Sequence, residues 1–521
     1  MLQIKNLTIT HRKDLRMILE NFQLTLNSGD KAVIIGEEGN GKSTLIKWIY
    51  QPELAEEYTE CVGERICTKE KMGYLPQELP DTECSKTVYE YFSQSDFFYN
   101  RTPKELSVMA KRFHVEESFF YSDQKMGSLS GGEKMKAELM RIFMEEPTAL
   151  LLDEPSNDMD IDTLKLLEEI IVSWKGIVLY ISHDETLIEN TANMIIHIEQ
   201  IAHKTKCRYT VARVPYRQYV EQRFQAFEKQ KKEAVNERSE KKKRDEKYRR
   251  VMQSVEHAQN VITRQNPAAG RLLKKKMRAV KSMEKRFQRE DEKMTKLPEI
   301  EKAIYFKLGD KKSGIPAGKT VIEYSLNQLL TPDGSRVLAK DIFLRIQGEE
   351  KICIIGSNGS GKTTLLKKIA EELLQRKDIW AEYMPQTYED VLELEKTPVD
   401  FLDCTGYEEE RTRIRTYLGA LKYTANEMEH PIKELSGGQK AKILLLKLSL
   451  SKANVLVLDA PTRNFSPLSG PVIRQMIREF PGAVISISHD RKYIDEVCNK
   501  VYRMSEKGLI LEREILHESS L

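Results

Sequence analysis

Long apolar runs are missing from this 521-residue chain. No stretch approaches the ~18 apolar residues that a bilayer span requires, so no membrane helix is expected. The opening MLQIKNLTIT lacks the basic-then-apolar order of a secretion signal. Cysteine is sparse and scattered. The seven residues Cys61, Cys67, Cys84, Cys207, Cys353, Cys404 and Cys498 include no C-x-x-C pair. That excludes a disulfide framework and a structural zinc module as expectations, and fits reduced thiols in a cytoplasmic protein. Apolar content is an ordinary 40%, and the length suits roughly two to four domains.

Acidic residues are in short supply in one place. Phe224 to Lys296 holds 23 Lys+Arg against 11 Asp+Glu, a net of +12, although the whole chain carries only +3; the remainder therefore sums to −9. The stretch reads as two helices. Phe224 to about Val261 has no Pro or Gly and is rich in good helix formers. Asn266-Pro267 and Gly270 interrupt it, and a second helical run goes from Arg271 to Met294. At the α-helical rise the first arm spans roughly 55 Å. Apolar residues allow only a thin seam: Val251, Val255, Ala258 and Val261 against Leu272, Leu273, Met277, Val280 and Met283. The turn and the start of the second arm carry Arg264, Arg271, Lys274, Lys275, Lys276, Arg278, Lys281, Lys285 and Arg286, with Glu284 as the one acid among them. A solvated spacer explains the helices but not a charge excess gathered at and after the turn. Contact with nucleic-acid phosphates explains both and predicts salt-dependent binding.

On either side of this stretch the chain repeats itself. Gly36-Glu37-Glu38-Gly39-Asn40-Gly41-Lys42-Ser43-Thr44 recurs as Gly356-Ser357-Asn358-Gly359-Ser360-Gly361-Lys362-Thr363-Thr364. Each copy follows an apolar strand (31–35, 351–355) and opens a helix, the setting in which a glycine-rich loop turns its backbone N–H groups around phosphate oxygens. In that setting Lys42 and Lys362 reach the β- and γ-phosphates, and Ser43 and Thr363 ligate Mg²⁺. Ser130-Gly131-Gly132 recurs as Ser436-Gly437-Gly438, each before a helix. Continuous apolar runs, as in a parallel strand covered on both faces, end in Asp153-Glu154 and in Asp459-Ala460. Ser182-His183-Asp184 recurs as Ser488-His489-Asp490.

These strings, in this order and in two copies, resemble the nucleotide-binding cassette of ABC ATPases. The resemblance implies an α/β fold with two P-loop cassettes, at 1–205 and 301–521, joined by a helical hairpin linker at 206–300. It makes Ser130–Gly132 and Ser436–Gly438 the signature sequences, Gln77 and Gln386 the Q-loop residues beside Mg²⁺, and Asp153 and Asp459 further holders of the ion. It also implies head-to-tail pairing within one monomer. One ATP site then joins Lys42, Asp153, Glu154 and His183 to the second signature; the other joins Lys362, Asp459 and His489 to the first.

Three departures stand out. Ala460 occupies the place of the carboxylate that orients and deprotonates the attacking water, so the second site is expected to be impaired as an ATPase, by a factor on the order of 10²–10⁴ for loss of a general base. The loop Asn157-Asp158-Met159-Asp160 has the usual form, whereas Arg463 to Ser469 lacks its Asp. An aromatic that stacks on adenine is expected near each cassette's start; His11 falls there in the first half, and none lies near Leu330–Thr331 in the second.

Twin cassettes around a basic hairpin, without a membrane segment, further resemble the ABC-F proteins. That implies ribosome binding, with the hairpin reaching large-subunit rRNA and peptidyl-tRNA at the exit site. The string Arg463 to Ser469 and the long linker resemble the antibiotic-resistance members, which implies drug displacement from the ribosome. The alternatives are a housekeeping ABC-F translation factor, the ATPase subunit of a transporter, which leaves the basic hairpin without a role, and a DNA-repair ATPase, whose family carries either far longer coiled coils or Cys-rich zinc modules, neither of which appears here.

Overall fold

The computed structural model describes residues 1–13, 15–67, 70–157, 159–201, 206–261, 267–292, 308, 314–331 and 334–514, without the side chains of 258–261, 267–270, 273, 288 and 292. The chain divides into two compact units, Met1–Tyr216 with Glu301–Leu521, and Arg217–Ile300.

The first unit contains both halves of the repeat. In the first half a six-stranded sheet runs in the order Met72–Leu75, Ala149–Asp153, Ile177–Ile181, Lys31–Ile35, Met194–Ile201, Lys206–Ala212. The second half repeats it as Ala381–Met384, Val455–Asp459, Ala483–Ile487, Lys351–Ile355, Lys500–Ser505, Gly508–Glu514. In both sheets the first five strands are parallel and the last is antiparallel. Ala149–Asp153, Ile177–Ile181, Val455–Asp459 and Ala483–Ile487 are buried at every residue, which is why their sequences are continuous rather than alternating. A smaller antiparallel sheet covers each: Met17–Leu26, Leu2–His11 and Thr59–Cys67 in the first half, Thr320–Leu330 with Val337–Gln347 in the second. The expected boundary at residue 205 is corrected here. Lys206–Ala212 pairs with Met194–Ile201 from Ala212 back to Lys206, so the sheet continues past it.

The two halves meet through ion pairs of one polarity. Arg474, 3% exposed, donates to Glu185 at 2.8 Å and 3.3 Å, and Glu185 is itself 5% exposed. Lys492 reaches Glu185 at 2.9 Å and Glu189 at 2.5 Å. Arg491 pairs with Glu168 and lies 3.8 Å from Asp184, and Lys442 pairs with Glu37 at 3.2 Å. Among the described residues every such cross-half pair takes its acid from the first half and its base from the second.

The second unit is built on the helices Tyr216–Val261 and Pro267–Glu292. The first starts eight residues before Phe224. The second starts at Pro267 rather than Arg271, because proline's fixed φ suits the first helical turn; Gly270 is inside it. The seam differs from the apolar one expected. Val255 and Val280 are buried, but Val251, Leu272 and Met283 are about half exposed. Polar and aromatic contacts hold the arms instead. Arg244 pairs with Glu290 at 3.1 Å, Lys241 with Asp291 at 2.8 Å, and Phe287 meets Tyr248 edge-on at 5.9 Å with the Arg244 guanidinium 4.4 Å above its ring. Ala258, Val261 and Leu273 have side chains outside the described set. No described helix is long and apolar enough to cross a membrane.

Candidate active site

The sheet order gathers the site. The loop strand (Lys31–Ile35) lies beside the strand ending before His183, which lies beside the strand ending in Asp153; Lys351–Ile355, Ala483–Ile487 and Val455–Asp459 repeat this. All their C-terminal ends converge, as ligand sites do in open α/β sheets.

In both loops glycine is required by space. A Cβ on Gly36 would lie 2.3 Å from the Ile198 carbonyl oxygen, and one on Gly41 2.1 Å from Ile18 Cγ2. Gly39 and Gly359 are left-handed, at φ 74° and 77°, a backbone that glycine adopts without strain. Lys42 Nζ donates to the carbonyls of Gly36 and Glu37 at 3.0 and 3.1 Å, and Lys362 Nζ to those of Gly356 and Ser357 at 2.9 and 2.8 Å. Burial pulls the Lys362 ammonium down to about 8, against the charges of Asp160 and Asp459. Asn40 turns its side chain to the Ile198 carbonyl, 3.0 Å away, and so anchors the loop. Thr44 is buried, and Thr364 lines the second site.

Ser43 Oγ donates to Asp153 Oδ1 at 2.9 Å, and Thr363 bonds Asp459 in the same way. Asp153 Oδ2 and Asp459 Oδ2 are buried without a hydrogen-bond partner. Burial raises both carboxyls, Asp153 to about 6 with the charge of Glu154 adding to it. A hydroxyl and a buried carboxylate with an unused oxygen suit Mg²⁺, a hard cation that takes one or two carboxylates plus phosphate oxygens. The residues fit that ion in both halves.

The reacting end differs between the sites. Glu154 accepts hydrogen bonds from Gln77 at 3.1 Å and Asn157 at 2.6 Å, and its Oε1 lies 3.4 Å from His183 Nε2. Burial works to raise its carboxyl, but His183 and Lys42 outweigh it and hold it at about 2. His183 Nδ1 is 2.7 Å from the Phe465 carbonyl of the other half. The string Arg463 to Ser469 thus supports the first site's histidine through its backbone. In the second half, burial and the Lys362 charge lower His489 to about 4. Ala460 has φ 52° and Glu154 φ 51°, both left-handed. The φ at the two positions is therefore alike, and a methyl group stands in the second site where the first has the carboxylate. Asp160 of the first half reaches the second site: against burial, Thr163, with His489 and the Asn358 backbone, holds its carboxyl below the usual range. Gln386 and Asn358 line that site.

Each signature opens a helix across from the other half's loop. Ser130 caps Gly131–Met144 with Glu133, and Ser436 caps Gly437–Leu450 with Gln439, both as capping boxes. The second site is a cavity of about 960 Å³ lined by Ser130, Gly131, Lys362, Thr363, Asp459 and His489. In the first, the backbone N–H of Gly438 donates to the Glu38 carboxylate, beside a small pocket of about 30 Å³ lined by Glu37, Glu38, Ser436 and Gly438. Sequence reading missed Glu37 and Glu38. Setting the loops side by side would have found them, since Glu38 stands where the other loop has Asn358. His11 ends its strand with its backbone N–H on the Arg16 carbonyl at 2.9 Å.

A family model described as ABC transporter matches residues 19–157 and 339–463. Ribosome protection protein VmlR of Bacillus subtilis (strain 168) is 28% identical over 94% of this chain and 85% of its own length. ABC transporter F family member 2 of Arabidopsis thaliana is 25% identical over 95% of this chain and 75% of its own. The solved structure of an RNase-L Inhibitor shares the fold, with a TM-score of 0.57 at 16% identity over 98% of this chain and 90% of that one. With the cassette matched twice, across about half its length, the chain belongs to the ABC transporter family of ATPases and, within it, to the ABC-F type.

Proposed function

We propose that the protein binds ATP at both composite sites, turns it over mainly at the Glu154 site, and acts in the cytoplasm on the ribosome, where its basic hairpin enters near peptidyl-tRNA and the peptidyl-transferase centre and displaces antibiotics. The observation that carries the ribosome reading is the hairpin's cationic face. Arg271, Lys274, Lys275, Lys276, Arg278, Lys281, Lys285 and Arg286 are all exposed; Arg264 lies outside the described residues. An exposed row of cations on a nearly coreless hairpin suits RNA phosphates, which are recognised by shape and backbone. The similarity to a protein named for ribosome protection supports the drug-displacing form. The similarity to F-family members such as that of Arabidopsis supports the second reading, a translation factor without a drug role.

In this proposal Lys42 and Lys362 hold the β- and γ-phosphates, and the amides of Gly132 and Gly438 meet the γ-phosphate from the opposite half. Mg²⁺, held by Ser43, Asp153 and Gln77 or by Thr363, Asp459 and Gln386, supplies charge neutralisation on the phosphate oxygens. Glu154, ionised and aimed by Gln77, Asn157 and His183, orients the attacking water. At the other site Ala460 has no side chain to do this, so ATP there serves to keep the halves together. Loss of the γ-phosphate removes a bridge gripped from both sides and lets them part.

The test is co-sedimentation with ribosomes, with and without ATP. Replacing Lys274, Lys275 and Lys276 together by Glu should abolish it while ATP binding by the free protein persists. Undiminished co-sedimentation at moderate salt would overturn the ribosome reading.

A further inference from the structure

We propose that Arg463 is a phosphate-binding residue of the second nucleotide site, where its guanidinium holds the γ-phosphate and so selects a nucleoside triphosphate over a diphosphate. The proposal deepens the nucleotide reading above and rests on it.

A turn that the two halves share places the residue. After each buried strand the chain folds back tightly. The N–H of Asn157 donates to the Glu154 carbonyl at 3.2 Å, and the N–H of Arg463 donates to the Ala460 carbonyl at 3.0 Å. The residue that opens the turn is left-handed in both, at φ 51° and 52°. From Asp153 to Asn157 and from Asp459 to Arg463 the two segments are equal in length. Arg463 is therefore the counterpart of Asn157. The Tyr388 hydroxyl donates to the Arg463 carbonyl at 3.4 Å and steadies the second turn.

In the first half this position overlooks the reacting end. Asn157 Nδ2 donates to Glu154 Oε2 at 2.6 Å, and Gln77 donates to the same oxygen at 3.1 Å. In the second half Arg463 lines the cavity of about 960 Å³ together with Ala460, Gln386, Lys362 and Asp459. Its charge reaches the acid there. Burial raises the Asp459 carboxyl, and the Thr363 hydrogen bond, Lys362, Lys367 and Arg463 work against it.

Two substitutions act in one direction. Glu154 and Asn157 together carry one negative charge, whereas Ala460 and Arg463 together carry one positive charge. In the nucleotide reading Glu154 stands beside the γ-phosphate, because the water it orients attacks there. A cation that takes over this end therefore meets the γ-phosphate before the α- or β-phosphate. A guanidinium presents paired N–H donors that match phosphate oxygens, and such charged hydrogen bonds are the strong ones. The exchange turns an end built to direct water into one built to retain an anion.

The test uses the full-length chain with Lys42→Ala, which silences the first site so that the second is read alone. Equilibrium binding of Mg-ATP and of Mg-ADP is measured for this parent and for its Arg463→Ala and Arg463→Lys derivatives. The alanine derivative should lose about tenfold to a hundredfold in ATP affinity, the scale of hydrogen bonds to a charged group, and less than twofold in ADP affinity. Retained ADP binding also reports that the site is folded. The lysine derivative should fall between, since it keeps the charge without the planar fork. Equal losses for ATP and ADP would mean that Arg463 serves only the turn or Asp459, and the proposal falls. Unchanged ATP affinity in the alanine derivative overturns it too. If the parent itself binds neither nucleotide, the nucleotide reading of the second site is what fails.

Discussion

The two composite sites share a backbone and differ in what closes them. At the Glu154 site the acid, its glutamine and its histidine are joined, and the opposing signature amide is already held by Glu38. At the Ala460 site a cavity of about 960 Å³ stands between loop and signature. A carboxylate on a helix N-terminus takes the place that an anionic ligand would take; at the matching place of the other loop stands the neutral Asn358. The lesson is that a duplicated fold can keep its loop and strand register while single side chains change, Glu154 against Ala460 and Glu38 against Asn358.

That contrast can be broken most strongly at the reacting carboxylate. Glu154→Gln should lower single-turnover hydrolysis on the order of 10²–10⁴-fold, and Ala460→Glu should raise it, because residue 460 already has the left-handed backbone of residue 154. Equal single-turnover rates from the two variants would remove the functional asymmetry. Next in size is the contact that keeps the two sites facing each other. Arg474→Ala leaves the buried Glu185 with Lys492 as its cation and should destabilise the paired halves by about 1–3 kcal/mol, read as a lowered denaturant midpoint with ATP absent. The smallest effect is at the cap. Glu38→Gln removes the charge that competes for the Gly438 amide and should tighten ATP binding at the first site about two- to fivefold, the scale of one charge at a helix terminus; equilibrium binding would show it, and a loss of affinity would mean that Glu38 helps the nucleotide instead.

The cassette was legible because its chemistry is local. Gly36 to Ser43, Asp153-Glu154 and His183 each sit at the end of an apolar strand, and the same strings recur in order, so the fold and the converging residues could be read without coordinates. What escaped reading depends on contacts between distant segments. The pairing of Lys206–Ala212 with Met194–Ile201 moved the cassette boundary, since an edge strand half exposed to water lacks a long apolar run. The hairpin seam was expected to be aliphatic, but Arg244, Tyr248 and Phe287 hold it; on a thin two-helix arm a long amphipathic side chain covers as much surface as a valine. The contact of the Phe465 carbonyl, as acceptor, with His183 Nδ1 is a backbone property and has no signal in residue type.

The sorted polarity of the seam between the halves has a consequence of its own. Two copies of the first half brought face to face would set Glu168, Glu185 and Glu189 against one another, and two copies of the second would do the same with Arg474, Arg491 and Lys492. Recognition between the halves is thus written into their surfaces. The covalent tether supplies equal numbers of each, and the charges favour the unlike partner.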